Sequence, residues 1–499
     1  MKNRVVSLIC LILLVNPVHA ANVYDSFSLT DVINAFSSTN YLSEVTFKTA
    51  FDKFKQSNVN SSFNDFKELI ENSKNSSVEL LVLYEKMYEL GFFSLADRAK
   101  SHIADSNFEF YEKCVKEFYS PSKMLTHDEE IFLAEIYSQI TYNDRAVEAI
   151  NELEQNKDLL KKSDYANYLM ALGYYKSNNF KEAMKFINDA ISKNSKCENY
   201  KFLKIKLLAE TEQRNDALRL FNSYNNKKEL PYNYRKKCEL LKQFILYKTE
   251  KNQWERNYAL GRYYYTNGEY QKALKSLQNA TLTKNKKDLT KVLGIMSRTY
   301  LKLGQDDKAK ETALKAIKND ISNKDANVTL ARLADSEANF GKALECYKKA
   351  SKNDKLDTSI IKVAQLYQLK DEDAKAKNIY TSLVKKSDDE WTALYNLAVM
   401  DNKPEYLYKS LKANPFYADA WVELIKFELE NKNYDKAKEY LNNLLYIDDK
   451  DFRYYYYMGV FCRENNLNID AARNFKKSLD LNPDNYEAEK SLIELREFL

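Results

Sequence analysis

Glycine and proline are scarce in this 499-residue chain, at eight and six. Average usage would supply roughly five times as many Gly and four times as many Pro. Sheet hairpins and phosphate-binding loops are built on such residues, so their shortage removes both from consideration and leaves helices joined by short turns. Histidine is rarer still, with His102 and His127 the only two beyond the first twenty residues, and neither has a second ligand at metal-binding spacing. Thr126 to Glu130, "THDEE", reads instead as a capping box opening a helix, with Thr126 as cap and Glu129 as its return partner. No GxxxxGK[ST] and no G-x-S-x-G occurs, so neither a Walker loop nor a nucleophile elbow is available. The expectation is a non-catalytic chain with no metal and no cofactor.

Cysteine is sparse and scattered. Beyond Cys10 there are Cys114, Cys197, Cys238, Cys346 and Cys462, an odd set with no CxxC pair. That is no disulfide framework, and small hydrophobes inside helices is the reading adopted, with a Cys197–Cys238 bridge as the lesser alternative. Long apolar runs are also missing, except near the start. There Lys2 and Arg4 precede the run Val5 to Val15, and "NPVHA" follows with small residues at 18 and 20. Residues 1–20 therefore read as a secretory signal peptide cut after Ala20. No stretch beyond it is long enough to span a bilayer, so no transmembrane segment is expected after cleavage, and the protein is expected to be exported, periplasmic or secreted. Cleavage removes Lys2 and Arg4 and no acid, taking the formal charge from +5 to +3. Near-neutrality gives no electrostatic footprint for nucleic acid.

Repetition is what the chain has in place of these motifs. Ala273 recurs as Ala146, Ala183, Ala217, Ala309, Ala343, Ala376, Ala437 and Ala471, mostly 33 to 37 apart. Twelve residues earlier stand Gly261, Ala134, Ala171, Ser297, Ala331, Ala364 and Gly459, with Ile205 and Ile425 as exceptions. Tyr264 is echoed by Tyr137, Tyr174, Tyr300 and Tyr367. Two helices crossing closely need small side chains at the crossing, which explains the two columns. Gly268, with Asn178, Gly304 and Asn466 in its column, sits at the turn between them, where a positive φ is cheapest for Gly and Asn.

The 34-residue period and these columns resemble the tetratricopeptide repeat, over about 350 residues. The resemblance implies an all-α fold, a right-handed α-solenoid of stacked antiparallel helix pairs. Residues 127–231 read as a first sub-array, 232–253 as an extra helix or hinge, 254–485 as the main array and 486–499 as a capping helix. Residues 21–126 are helical with faint small-residue columns, either diverged repeats or a separate cap, with Gly91 and Ala96 as remnants of a repeat.

The family binds peptide or protein segments on the concave face lined by first helices. On that face Arg262, Arg298 and Arg332 follow the small-residue column in three consecutive units, with Lys206 in the same column further off. Tyr258 and Tyr168 lie four before that column, Tyr265 and Tyr175 three after it. These eight residues form the expected ligand-binding set, arginines for carboxylates and tyrosines for flat contact area. The competing reading pairs each arginine with a local acid, such as Asp335 beside Arg332. The family's carboxylate clamp is not reproduced. The resemblance implies a scaffold for other proteins, through acidic or extended segments, in the cell envelope or secreted space. The alternative is an accessory subunit of an envelope enzyme or of a polysaccharide export complex.

Overall fold

The computed structural model describes residues 46–73, 76–103, 108–225, 232–352, 358–386 and 390–495. The signal segment 1–20 and Leu499 lie outside the described residues. Among those described there are 28 helices and no strand. The chain is all-α, built of antiparallel helix pairs that stack on their neighbours.

The pair Gln253–Thr266 and Tyr270–Ala280 shows how the sequence specifies the hairpin. Asn252 caps the first helix, its side chain accepting from the Trp254 amide at 3.1 Å. Its partner crosses so closely at Gly261 that a Cβ there would lie 2.7 Å from Leu277 Cγ. Ala273, opposite, is wholly buried. Gly459 repeats the arrangement, with a notional Cβ 2.6 Å from a Phe475 ring carbon. All nine alanines of the repeating column are buried. The Thr126 capping box is present as well, with the Thr126 amide donating to Glu129 Oε2 at 3.0 Å.

The turn column carries a positive φ at each predicted position, Asn178 (58°), Gly268 (84°), Gly304 (68°) and Asn466 (61°). It holds elsewhere too, five residues before the alanine, at Glu212, Ala338, Asp371 and Lys432. The same geometry extends toward the N-terminus. Helices Ser77–Leu90 and Phe93–His102 turn at Gly91 (φ 87°), five before the buried Ala96. Helices Phe47–Lys55 and Val59–Asn72 turn at Ser57 (φ 60°), five before Ser62. Ser62 is wholly buried, and its hydroxyl donates to the Ala50 carbonyl at 2.8 Å, twelve positions back. Two hairpins of repeat geometry therefore stand within the region whose columns are faint. Helix Tyr232–Thr249 occupies the break in the repeat rhythm.

Compactness divides the chain differently from these segments, into one unit of residues 204–397 and another holding 32–203 and 398–499. The second unit brings the described N-terminal helices against the C-terminal repeats. Asn443, on helix Tyr434–Ile447, accepts from the Val78 amide and the Ser76 hydroxyl at the start of Ser77–Leu90, both at 3.1 Å. Phe108 packs edge-on to Trp421 and Tyr111 to Phe416, at 6.3 and 6.0 Å. Cys114, Cys197, Cys238, Cys346 and Cys462 are free thiols, so the Cys197–Cys238 bridge is not formed. Among the described residues, no helix is long and apolar enough to cross a membrane.

Candidate functional site

The arginine column lies on the first helices of three consecutive pairs in the 204–397 unit. Arg262 is on Gln253–Thr266, Arg298 on Lys286–Lys302 and Arg332 on Lys324–Ser336. Each is met by an acid from another position in the stack or from its own next turn. Arg262 donates to Glu239 Oε1 at 2.9 Å, and Glu239 belongs to helix Tyr232–Thr249. Arg298 donates to Asp325 Oδ1 at 2.9 Å, reaching the second residue of the following first helix. Its guanidinium carbon also lies 5.3 Å from the Tyr265 ring centre, within cation–π range.

Arg332 stands among Asp335, Lys362 and Tyr347. Burial pushes the Asp335 carboxyl up while Lys362 and Arg332 pull it back, and burial pushes the Lys362 ammonium down while Asp335 supports it. The Tyr347 hydroxyl is driven up mainly by burial, with Arg332 donating a hydrogen bond to it. Burial also raises Tyr258, opposed by Arg262 beside it and assisted by Asp325. The column is thus one charged network in which Arg262, Arg298, Arg332 and Lys362 face Glu239, Asp325 and Asp335. The paired arginines keep solvent access, at 39% for the Arg262 side chain and 20% for Arg298.

The tyrosines are divided between packing and this network. Tyr258 and Tyr265 lean on the core of Leu277, Ala280, Val292 and Ile295, so part of each ring is structural. Lys206 is exposed on helix Glu198–Glu210. Tyr168 and Tyr175 belong to the other compact unit. Tyr168 is buried, stacked on Tyr165 at 5.9 Å and on Tyr200 at 5.1 Å between ring centres. Tyr175 packs on Phe180 at 6.0 Å. Of the eight residues, five therefore share one network: Tyr258, Arg262, Tyr265, Arg298 and Arg332. Glu239, Asp325, Lys362 and Tyr347 complete it and were not anticipated. Asp325 had a legible signal, an acid in the first turn of the next first helix, whereas Glu239 sits on a helix outside the period.

Most of the pair Lys286–Lys302 and Asp306–Asn319, Arg298 included, falls in the stretch matched by a family model. Residues 290–320 match the model described as tetratricopeptide repeat. That segment carries the tetratricopeptide repeat. No curated protein matches the chain. Among solved structures, the chain is similar to the APC/C hetero-tetramer Cut9-Hcn1, at 15% identity over 94% of this chain and 99% of that one, with a TM-score of 0.43. It is also similar to a tetratricopeptide repeat protein from Parabacteroides merdae, at 14% identity, 49% and 98% coverage, and a TM-score of 0.37. Yeast Tom70 follows at 11% identity, 73% and 94% coverage, and a TM-score of 0.34. Among the described residues no group of His, Cys, Asp and Glu is placed to hold a metal.

Proposed function

We propose that the chain is an exported, non-catalytic scaffold that captures acidic, extended segments of other proteins on the face carrying Arg262, Arg298 and Arg332. The observation that supports this reading is the network itself, in which charge-assisted bonds hold the Arg262 and Arg298 guanidinium groups in place on successive helices with solvent access, beside Arg332 on the next. A ligand carboxylate meeting such a row finds donors already ordered, so less side-chain entropy is lost on binding. Guanidinium donors on successive helices favour an acidic segment, and Tyr258 and Tyr265 supply contact area beside them.

Arg298 is the residue to change, because it bridges Tyr265 and Asp325 at the middle of the row. Arg298→Glu places a second acid against Asp325, so Arg298→Gln is the cleaner removal of charge. Both are expected to weaken capture of an acid-rich peptide while leaving the helical circular dichroism unchanged. Undiminished capture by both variants, with salt dependence intact, would sink the proposal. Export is read from the segment ending at Ala20, and mass spectrometry of the mature N-terminus beginning at Ala21 tests it. Crosslinking in cells then separates many captured client segments, as expected, from a single stoichiometric enzyme, the mark of an accessory subunit.

A further inference from the structure

A cavity of about 150 Å³ lies in the second unit, walled largely by tyrosine. Tyr88 and Glu89 reach it from helix Ser77–Leu90, Tyr119 from Glu109–Tyr119, and Tyr137 from His127–Tyr142. The stacked series Tyr165, Tyr168 and Tyr200 forms the remaining side, beside Asn199. Helices from the two diverged N-terminal segments and from the clear repeats thus converge on one space. That volume equals about five water molecules, enough for a short aminoalkyl chain.

Most hydroxyls around it are already committed. Tyr200 donates to Asp164 Oδ2 at 3.1 Å, Tyr168 bonds with Asn199, Tyr137 with Tyr142, and Tyr88 with Ser120, Tyr84 and Asp97. Tyr165 is different. It is 4% exposed, and its hydroxyl has no hydrogen-bond partner in the protein. A buried phenol without a partner is a costly feature that a bound polar group would relieve.

The charge around the cavity has one prevailing sign. Glu89 is the carboxylate in its wall, 27% exposed, with Lys86 Nζ 3.1 Å from Oε2. Lys86 is itself held over the Phe51 ring at 5.1 Å. Behind the tyrosines stand Glu85, Glu130 and Asp164. Burial above all holds the phenols neutral, and the fields of Glu89, Glu85 and Glu130 push Tyr119, Tyr137 and Tyr165 further the same way, as Asp164 does for Tyr200. Neutral hydroxyl oxygens, an amide oxygen and a carboxylate are hydrogen-bond acceptors, and the field repels anions. A primary ammonium offers three donors and one compact positive charge, which matches both features.

We propose that this cavity binds a primary alkylammonium group, carried by a lysine side chain of a partner segment or by a free amine. Glu89 supplies the counter-charge, sharing its carboxylate between Lys86 and the ligand. Tyr165 supplies an oxygen that the fold leaves unused, and the stacked rings flank the alkyl chain. The site needs nothing from the arginine network, so it stands or falls separately from the scaffold reading.

The test uses the purified full chain and calorimetric titration with two probes, Nα-acetyl-lysine methylamide and 1,5-diaminopentane. The neutral control is the first probe acetylated on its side-chain nitrogen. Both amines are expected to bind and the neutral control not to. Glu89→Gln is expected to weaken binding about tenfold or more, the effect of removing a charge-assisted partner. Tyr165→Phe, which removes one oxygen and leaves the ring packing on Phe93 and Tyr168, is expected to weaken it several-fold with unchanged circular dichroism. Tighter binding of the lysine derivative assigns the site to a partner's side chain, and tighter binding of the diamine assigns it to free amines. Equal binding of the neutral control, amine binding untouched in both variants, or no amine uptake at about 10 mM, a weak limit for specific recognition, would overturn the proposal and leave an aqueous cavity.

Discussion

Replacing Asp164 by Asn is expected to loosen the junction between the N-terminal segments and the clear repeats. Asp164 is 1% exposed and its carboxylate accepts four hydrogen bonds. The donors are the Ser122 amide and hydroxyl, both at 2.9 Å, Asn194 Nδ2 at 2.8 Å, and the Tyr200 hydroxyl at 3.1 Å. Asn194 also donates to the Ser120 carbonyl at 3.0 Å, so the cluster fastens the segment before the Thr126 capping box onto the hairpin Asp164–Lys176 and Phe180–Lys193. An amide of the same volume can keep the three bonds made to Oδ2 and turn its NH₂ toward the exposed Ser122 hydroxyl, which accepts. The three bonds that remain are no longer charge-assisted, at about 1 kcal/mol each. A loss of about 3 kcal/mol is the working figure. Tyr200→Phe removes one donor and leaves the carboxylate with three, so about 1 kcal/mol is expected. The two changes together should cost less than their sum, because they share a partner. Repeat arrays unfold piecewise, so urea unfolding by circular dichroism is to be read with amide hydrogen exchange at Ser120 to Ser122 and at Tyr200. If Asp164→Asn unfolds within about 0.5 kcal/mol of the parent, the ordinary range for a surface change, or if Tyr200→Phe is equally damaging, the carboxylate is not the anchor argued here.

Three further outcomes follow from the same geometry. Ala273→Leu forces a branched side chain into the crossing opposite Gly261 and should cost about 1–3 kcal/mol in urea unfolding; an unchanged midpoint would show that the crossing has room. Ala338→Gly should stabilise, because exposed Ala338 holds φ 54°, a left-handed strain of about 1–2 kcal/mol, against about 0.5–1 kcal/mol for glycine's extra chain entropy. A lower melting temperature would refute that balance. Glu79, half-buried beside Tyr446, has its carboxyl raised by burial from 4.5 to about 7, against a hydrogen bond from Ser73 that lowers it. The folded state therefore holds a proton that the unfolded chain releases above pH 4.5, so this group's contribution is whole below that pH and is lost by pH 7. Glu79→Gln should gain up to about 3 kcal/mol at pH 8 and little at pH 5; an equal effect at both pH values would refute the assignment.

What was legible in the sequence and what was not divides along a physical line. A helix crossing demands small volume, and volume is written in the residue type itself, so Gly261, Ala273 and their columns could be read directly. A turn demands only a positive φ, which Gly268 and Asn178 advertise, but Glu212, Asp371 and Lys432 adopt it at a tolerable cost and give no sign of it. The N-terminal hairpins were only faintly legible, the second through Gly91 and Ala96 and the first not at all. Ser57 hides the turn of the first, Ser62 replaces its alanine, and Tyr84 occupies the second hairpin's position twelve before Ala96, where a small residue was the marker. The arginine column was legible because it repeats, whereas its acids come from unlike positions, Asp325 on the next helix and Glu239 outside the period. The tyrosine cavity had no signature at all, since Tyr88, Tyr119 and Tyr165 meet only through the packing of three separate segments. Periodic reading thus finds what each repeat does alike, such as the arginine column, and misses what one place does alone, such as the carboxylate of Glu89 among neutral phenols.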